Sequence, residues 1–520
     1  MDTDRSKEIG YEDPPEATES GPATVQPDSM FALLRAEPVS FLLSLLVLLA
    51  IVALFFGQKV PHSNEFVYLL RLEPGFLPND WTFSRPAYEH GFFNLVFSVP
   101  ASVLSIEAMG WAGRVLVWVG CMVPLILLGR LWSNGYLCVT AAIAVWLAYG
   151  QTIANNVWFF GGFEAGAASA SLLLFSLLAF TSKKYLCAGV LMGLAFSIHP
   201  GVGLWAIPAA MFALAVERVP PREIFVTGFA IVAAASPGLL FIVSDQIGGG
   251  AATYDDWRYL VIHRVPWHLD PFYFSRRDFV ILAAMLGFNY AIMGRSTKFA
   301  LRFLFKFQLL LAAVFASALI FRWFEMYPLL RFQPMRLFPV VVGIFFLFSA
   351  FYVIKESKDL WKRVSAALLA AVLVALLNPV SYSSSRLDTL VDSWTLQVSD
   401  VETAFRWVAE NTPEDALVIA PPNHIEVWYY TRRANIASFR YPTYDRFGEW
   451  RKRIGDLAGT TELSARDTDF SDAEARFNSL SETQVLSIKD RYSADYLISQ
   501  GRYDLPKVFE TKTYVIYKLR

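Results

Sequence analysis

Apolar residues in this chain fall in long uninterrupted runs rather than in the alternating or three-to-four patterns of water-facing elements. A helix needs about 20 such residues to cross the hydrocarbon core, and fewer where neighbouring protein surrounds its end. The first run, 39–57, carries no charge. Further runs occupy 115–128, 136–149, 165–180, 185–198, 202–216, 224–243, 279–293, 303–321, 337–354 and 364–377. The pattern predicts a polytopic α-helical membrane protein with eleven spans. The run 92–106 stands apart, because counting it as a span would invert every later loop. It reads as a membrane-surface or re-entrant helix broken by Pro100, with a twelfth span as the alternative.

Polar positions set the expected orientation. The chain is 55% hydrophobic and 18% charged, outside the range of soluble globular proteins. Its net charge of -1 conceals an uneven distribution and gives no reason to expect nucleic acid. Arg130, Lys183, Lys184, Arg218, Arg222, Arg295, Lys298, Arg302, Lys355, Lys358, Lys362 and Arg363 crowd into alternate short loops. By the positive-inside rule those loops are cytoplasmic, as is the amino terminus, in a plasma (inner) membrane of a prokaryote. Residues 1–38 read as a disordered acidic tail, 39–381 as the membrane domain, and 382–520 as a soluble domain on the extracytoplasmic, periplasmic side. The three cysteines, Cys121, Cys138 and Cys187, lie within apolar runs, so neither a disulfide framework nor a zinc site is expected.

The terminal segment changes to the signals of an α/β domain. Helical spacing covers 401–410, and short apolar strands are predicted at 416–420, 495–499 and 514–519. It has no glycine-rich phosphate loop, no Gly-x-Ser-x-Gly and no metal-spaced His or Cys cluster, so binding or scaffolding suits it better than a second active site.

The first outer loop, 58–111, is longer than a connection requires, and long loops on rigid scaffolds tend to carry function. Its order of residues carries a resemblance. His62-Ser63-Asn64-Glu65-Phe66-Val67-Tyr68, then Pro74 through Asp80-Trp81, then His90 with Pro100 beyond, then Trp111-Ala112-Gly113-Arg114 opening a span, resembles the GT-C membrane glycosyltransferases. It is most similar to their protein O-mannosyltransferase and lipid A aminoarabinose transferase branch. The resemblance implies transfer of a sugar from a polyprenyl-phosphate-linked donor to the hydroxyl of a glycan, lipid or protein acceptor at the extracytoplasmic face. It also implies that an acid of the first outer loop is the base, since the attacking hydroxyl must lose a proton. One departure is that Asn64 stands where the family places its catalytic aspartate. Glu65 is then the first candidate base and Asp80 the second. The loop has no Asp-x-Asp pair, which disfavours the metal-dependent oligosaccharyltransferase mode; no cofactor is expected, and a divalent cation stays an open alternative.

Other outer-face residues complete the candidate set. The segment 254–271 interleaves aromatic rings with Asp256, His263 and His268, a mixture suited to a sugar or to interface anchoring. Arg331 and Arg336 precede a span at the depth of a lipid phosphate headgroup, with Arg336 the better ligand candidate. These two segments are also similar to an uncharacterised group of bacterial GT-C-like proteins, a likeness that carries no activity. Glu164 occupies a place where the mannosyltransferase branch often has an acid. His199 ends a helix on the same expected face as Glu164, open to a capping or packing role, and His90 of the first outer loop is open to a solvated place on an amphipathic interfacial helix. The alternative to a transferase is a non-catalytic relative that binds or presents a lipid-linked glycan; a secondary transporter is the third reading, disfavoured because polar residues gather at one face rather than at the midplane.

Overall fold

A computed structural model describes residues 37–84, 90–153, 158–248, 252–378, 387, 398–465 and 470–520. The expected tail up to residue 36 and the expected boundary at 381–382 lie outside them. Every predicted run coincides with a helix: Pro38–Phe56, Ile106–Gly129, Tyr136–Ala148, Ala165–Thr181, Tyr185–Ile198, Pro200–Val216, Pro221–Gly248, Arg276–Asn289, Phe299–Trp323, Phe338–Glu356 and Leu360–Leu376. Several of them, Pro38–Phe56 and Phe299–Trp323 among them, are long and apolar enough to cross a membrane. Helices Tyr185–Ile198 and Pro221–Gly248 approach closely because small residues face each other. A methyl group at Gly193 would lie 2.5 Å from the Ile231 carbonyl oxygen, so a larger residue would force the helices apart.

The basic loops meet at one end of the bundle. Lys298 Nζ donates to Ser133 Oγ at 2.8 Å and Lys355 Nζ to the Ser133 carbonyl at 2.9 Å. Arg302 and Lys306 both pair with Glu217, and Arg130 pairs with Glu37. The segment expected to lie on the membrane surface forms a helix, Gly91–Ala101, which at 11 residues falls well short of a span. Phe93 is buried, while Leu95, Val99 and Val103 are exposed. A turn ends it, and Ser105 caps the next helix by accepting a hydrogen bond from Ala108 N.

The opposite end of the bundle carries the α/β region. Its five-stranded sheet has the order β2-β1-β3-β5-β4, with β1 Leu417–Ile419, β2 Ala434–Asn435, β3 Tyr496–Ser499, β4 Lys507–Glu510 and β5 Val515–Lys518. Strands β2, β1 and β3 run parallel, and β5 pairs antiparallel with β3, Leu497 opposite Tyr517. Helix Asp400–Asn411 starts at a Ser399 cap and buries Ala404, Phe405 and Val408. The core around Phe405, Val418, Trp428 and Ile516 also contains Phe66, Val67, Leu70, Phe76 and Phe83. The long loop 58–111 therefore contributes to the hydrophobic core of the C-terminal α/β region, an arrangement not anticipated from the sequence.

Candidate active site

The first outer loop leaves helix Pro38–Phe56 and reaches Ser63, whose φ of +50° lies in the left-handed region that disfavours a residue with a side chain. A short helix, Glu65–Leu70, follows. It turns Glu65 inward against Arg114, on helix Ile106–Gly129. Both residues are almost completely buried. Arg114 Nε donates to Glu65 Oε1 at 2.7 Å, and its Nη2 donates to Oε2. The Phe163 N–H donates to Oε1, and the His62 N–H reaches Oε2 at 3.0 Å. Arg114 Nη1 spends its remaining capacity on the Gln58 carbonyl at 2.6 Å. Gly162 makes this approach feasible, since a methyl group there would lie 2.6 Å from Glu65 Cγ. Glu65 thus ties together the first loop, the second span and the segment before helix Ala165–Thr181, and its oxygens are committed to four donors.

Glu164 is the next residue after this junction and precedes the helix, half-buried. Its carboxyl is pushed up to about 7, first by burial and then by the negative charge of Glu65; the hydrogen bond from Asn64 and the charges of Arg336 and Arg114 oppose the rise. The start of the same helix carries the other groups. A methyl at Gly166 would lie 3.4 Å from Arg336 Nη2 and 3.8 Å from His199 Cδ2. Arg336 bonds Gln333 Oε1, while its buried Nε has no hydrogen-bond partner. Burial draws the arginine's proton affinity down, and Tyr68, Glu164 and Tyr444 restore part of it. His199 is buried with Nδ1 unpartnered, and burial together with Arg336 holds the imidazole well below its usual proton affinity. Its ring stands 5.1 Å from that of His90, whose Nε2 lies 3.1 Å from the Tyr68 hydroxyl. A buried donor and a carboxyl titrating near neutrality, side by side, are what proton transfer next to an anionic leaving group requires.

The structure brings together Asn64, Glu65, Tyr68, His90, Arg114, Glu164, His199 and Arg336, and engages the remaining candidates elsewhere. Asp80 is fully buried against the soluble domain, where its carboxylate accepts from Thr82 N at 2.7 Å, Phe83 N at 3.1 Å, Trp428 Nε1 at 2.9 Å and Asn435 N at 2.8 Å. Arg331 stacks over Trp257 and Phe332, each 4.9 Å away. Asp256 closes a capping box with Thr253 and stands 3.6 Å from Arg451. His263 stacks on Tyr259, and its carbonyl accepts from Ala465 N at 2.8 Å. His268 packs edge-on to Trp267. Asp80, Asp256 and His263 thus fasten their loops to the C-terminal α/β region, while Arg331 and His268 pack against rings of the loops themselves. Two others went unread in the sequence. Arg440 Nη2 lies 3.4 Å from Ser63 Oγ, beside Asn64, and Tyr444 acts on Arg336. No motif marks either, although the Arg-rich composition of 432–453 is a visible signal. Among the described residues no cluster of three or more His, Cys, Asp or Glu could hold a metal ion.

A family model described as a domain of unknown function (DUF6798) matches residues 399–457. That segment is the part that grips the first outer loop: Glu402 pairs with Lys59, Arg432 with Glu73, Trp428 and Asn435 with Asp80, and Arg446 and Arg453 sandwich Trp81 at 4.3 and 4.4 Å. Comparison with curated proteins gives no match. Among solved structures, the chain is similar to the Archaeoglobus fulgidus oligosaccharyltransferase tethered with an acceptor peptide, at 12% identity and a TM-score of 0.51, over 90% of this chain and 70% of that one. It is also similar to ArnT from Cupriavidus metallidurans bound to undecaprenyl phosphate, at 11% identity and a TM-score of 0.45, over 93% and 98%. The chain is a multi-pass membrane protein with a GT-C-like fold.

Proposed function

We propose that this protein is a membrane glycosyltransferase acting at the extracytoplasmic face, with a polyprenyl-phosphate-linked sugar as donor and a hydroxyl group of a glycan, lipid or protein as acceptor. The base in this reading is Glu164 rather than an acid of the first loop. Glu65 has its lone pairs committed to Arg114 and two backbone N–H groups, which makes it a positioning residue, and Asp80 fastens the loop to the soluble domain. The acceptor oxygen bonds to the anomeric carbon as the bond from that carbon to phosphate oxygen breaks. The electron pair leaves with the phosphate, whose added negative charge Arg336 stabilises, and the acceptor proton passes to Glu164. The likeness to an oligosaccharyltransferase carrying an acceptor peptide supports the fold's capacity for transfer to an acceptor.

The observation that carries this reading is a guanidinium with an unpartnered buried Nε at the start of the helix that Glu164 precedes, close enough for Arg336 and Glu164 to act on each other's protonation. Asn64 in the place of the family's aspartate favours a second reading, a protein that binds a lipid-linked glycan without turnover. Single-turnover transfer from a polyprenyl-phosphate sugar separates the two. Glu164→Gln is expected to slow transfer by about 100-fold or more while donor binding persists. Donor binding without turnover by the wild-type protein would select the second reading, and transfer unaffected by Glu164→Gln would remove Glu164 from the mechanism.

A further inference from the structure

A cavity of about 580 Å³ lies where the membrane-surface helix, the start of helix Ile106–Gly129 and the soluble domain meet. It lies within the range of about 300–1,000 Å³ typical of small-molecule sites. Its two walls differ in chemistry. Leu69, Ala101, Leu104, Ile106 and Met109 form an apolar side, next to the exposed Val99 of helix Gly91–Ala101 and Val103 in the turn after it. Across from them stand Glu73, Glu107, Arg406, Tyr429, Tyr430 and Arg432.

Each charged side chain of the polar wall has a partner, within the wall or, for Arg406, just behind it. Arg432 holds Glu73 through both guanidinium ends, at 2.6 and 3.0 Å, Arg406 holds Glu402, and the Tyr429 hydroxyl bonds Glu107. Two acids and two arginines face the cavity, so its polar side is neutral as a whole. A phosphate headgroup would need surplus positive charge there. Hydroxyl-rich rings need closely spaced donors and acceptors of both kinds instead, and these side chains supply them. The cavity is also separate from the Glu164 cluster. None of Glu65, Glu164, His199 or Arg336 lines it, so the two share no side chain.

We propose that this cavity binds the sugar headgroup of an uncharged glycolipid, whose acyl chains leave along the apolar wall into the bilayer. The site does not depend on the identity of the base or on turnover, so it can fail or stand independently of the transferase reading.

The test uses the full chain in nanodiscs of phosphatidylcholine. Native mass spectrometry would count retained monoglucosyl diacylglycerol against phosphatidylglycerol with the same acyl chains. The expected result is roughly tenfold preferential retention of the glucolipid. Leu104→Trp, which fills the cavity from its exposed rim, and Tyr429→Phe, which removes one hydroxyl, should each erase most of that preference. Thermal unfolding of the same variants in detergent provides a check that the bundle is intact. Equal retention of the two lipids, a preference for phosphatidylglycerol, or a glucolipid preference unchanged in both variants would overturn the proposal. Should one variant fail to fold, the other decides.

Discussion

Two groups of buried ionisable residues, one at the membrane junction and one in the soluble domain, show opposite states of satisfaction. In the soluble domain His424 lies between Glu426 at 2.7 Å and Glu474 at 3.4 Å, at the carboxyl edge of β1. Glu474 also receives Asn423, Gln500 and the Tyr514 hydroxyl. Burial works against the charge on His424, yet the two carboxylates outweigh it and raise the imidazole to about 9, while the His424 hydrogen bond leads in pulling Glu474 down to about 2. Both groups stay charged at neutral pH and hold each other. At the membrane junction Arg336 Nε and His199 Nδ1 lack partners, and Glu164 titrates near neutrality. Burial is common to both clusters. What separates a fastening from a reaction site is whether the donors and acceptors are already used.

The contrast can be broken hardest at the partition between the two kinds of behaviour, the Glu65–Arg114 pair. Arg114→Met leaves a carboxylate buried without its counter-charge and should destabilise the fold by about 3–5 kcal/mol. Thermal unfolding in detergent would measure it, and Glu65→Met added to Arg114→Met should recover much of the loss. A loss no larger than that of an ordinary surface substitution would mean the pair does not hold the junction together.

Next in size is the pH dependence of turnover. The proposed mechanism requires the basic form of Glu164, whose carboxyl is raised to about 7 from 4.5. Transfer should therefore climb with pH through about 7 and lie about 100-fold below its plateau at pH 5. A rise centred near 4.5 would assign the base to an ordinary carboxylate.

The fastened cluster responds in the other direction. His424 is raised above its ordinary 6.5, so its stabilisation is complete below that pH and is lost as pH rises through about 9. Glu474 is depressed, so its share is present above 4.5 and lost as pH falls through about 2. Hydrogen-exchange protection of Tyr496–Ser499, corrected for intrinsic rates, should fall by about 2–3 kcal/mol between pH 6.5 and 10. His424→Gln should flatten that dependence.

The smallest effect tests the unpartnered donor. Arg336→Lys should weaken donor binding by about tenfold through loss of the guanidinium's second N–H, and Arg336→Ala should weaken it further. Equal donor affinity in Arg336→Ala and the wild-type protein would dismiss a phosphate contact.

Sequence alone determined the local terms. Uninterrupted apolar runs are a property of consecutive residues, so all eleven apolar helices could be read directly, and Pro100 with the short run at 92–106 marked the short helix Gly91–Ala101. Strand signals at 416–420, 495–499 and 514–519 were legible for the same reason, whereas β2, at two residues, and β4, an exposed Lys-Val-Phe-Glu edge, left too little apolar pattern. Tertiary structure decided everything that depends on who meets whom. Glu65 and Asp80 are both acids of one loop, and nothing in their neighbourhoods foretells that Arg114, 49 positions on, saturates the first, or that Asn435, 355 positions on, helps saturate the second. Glu164 acquires its proton affinity only because folding buries it beside Glu65 and within reach of Asn64 and Arg336. Hydropathy is additive along a chain, so it survives in the sequence; desolvation and hydrogen-bond satisfaction are properties of an assembled environment, and only the fold supplies that.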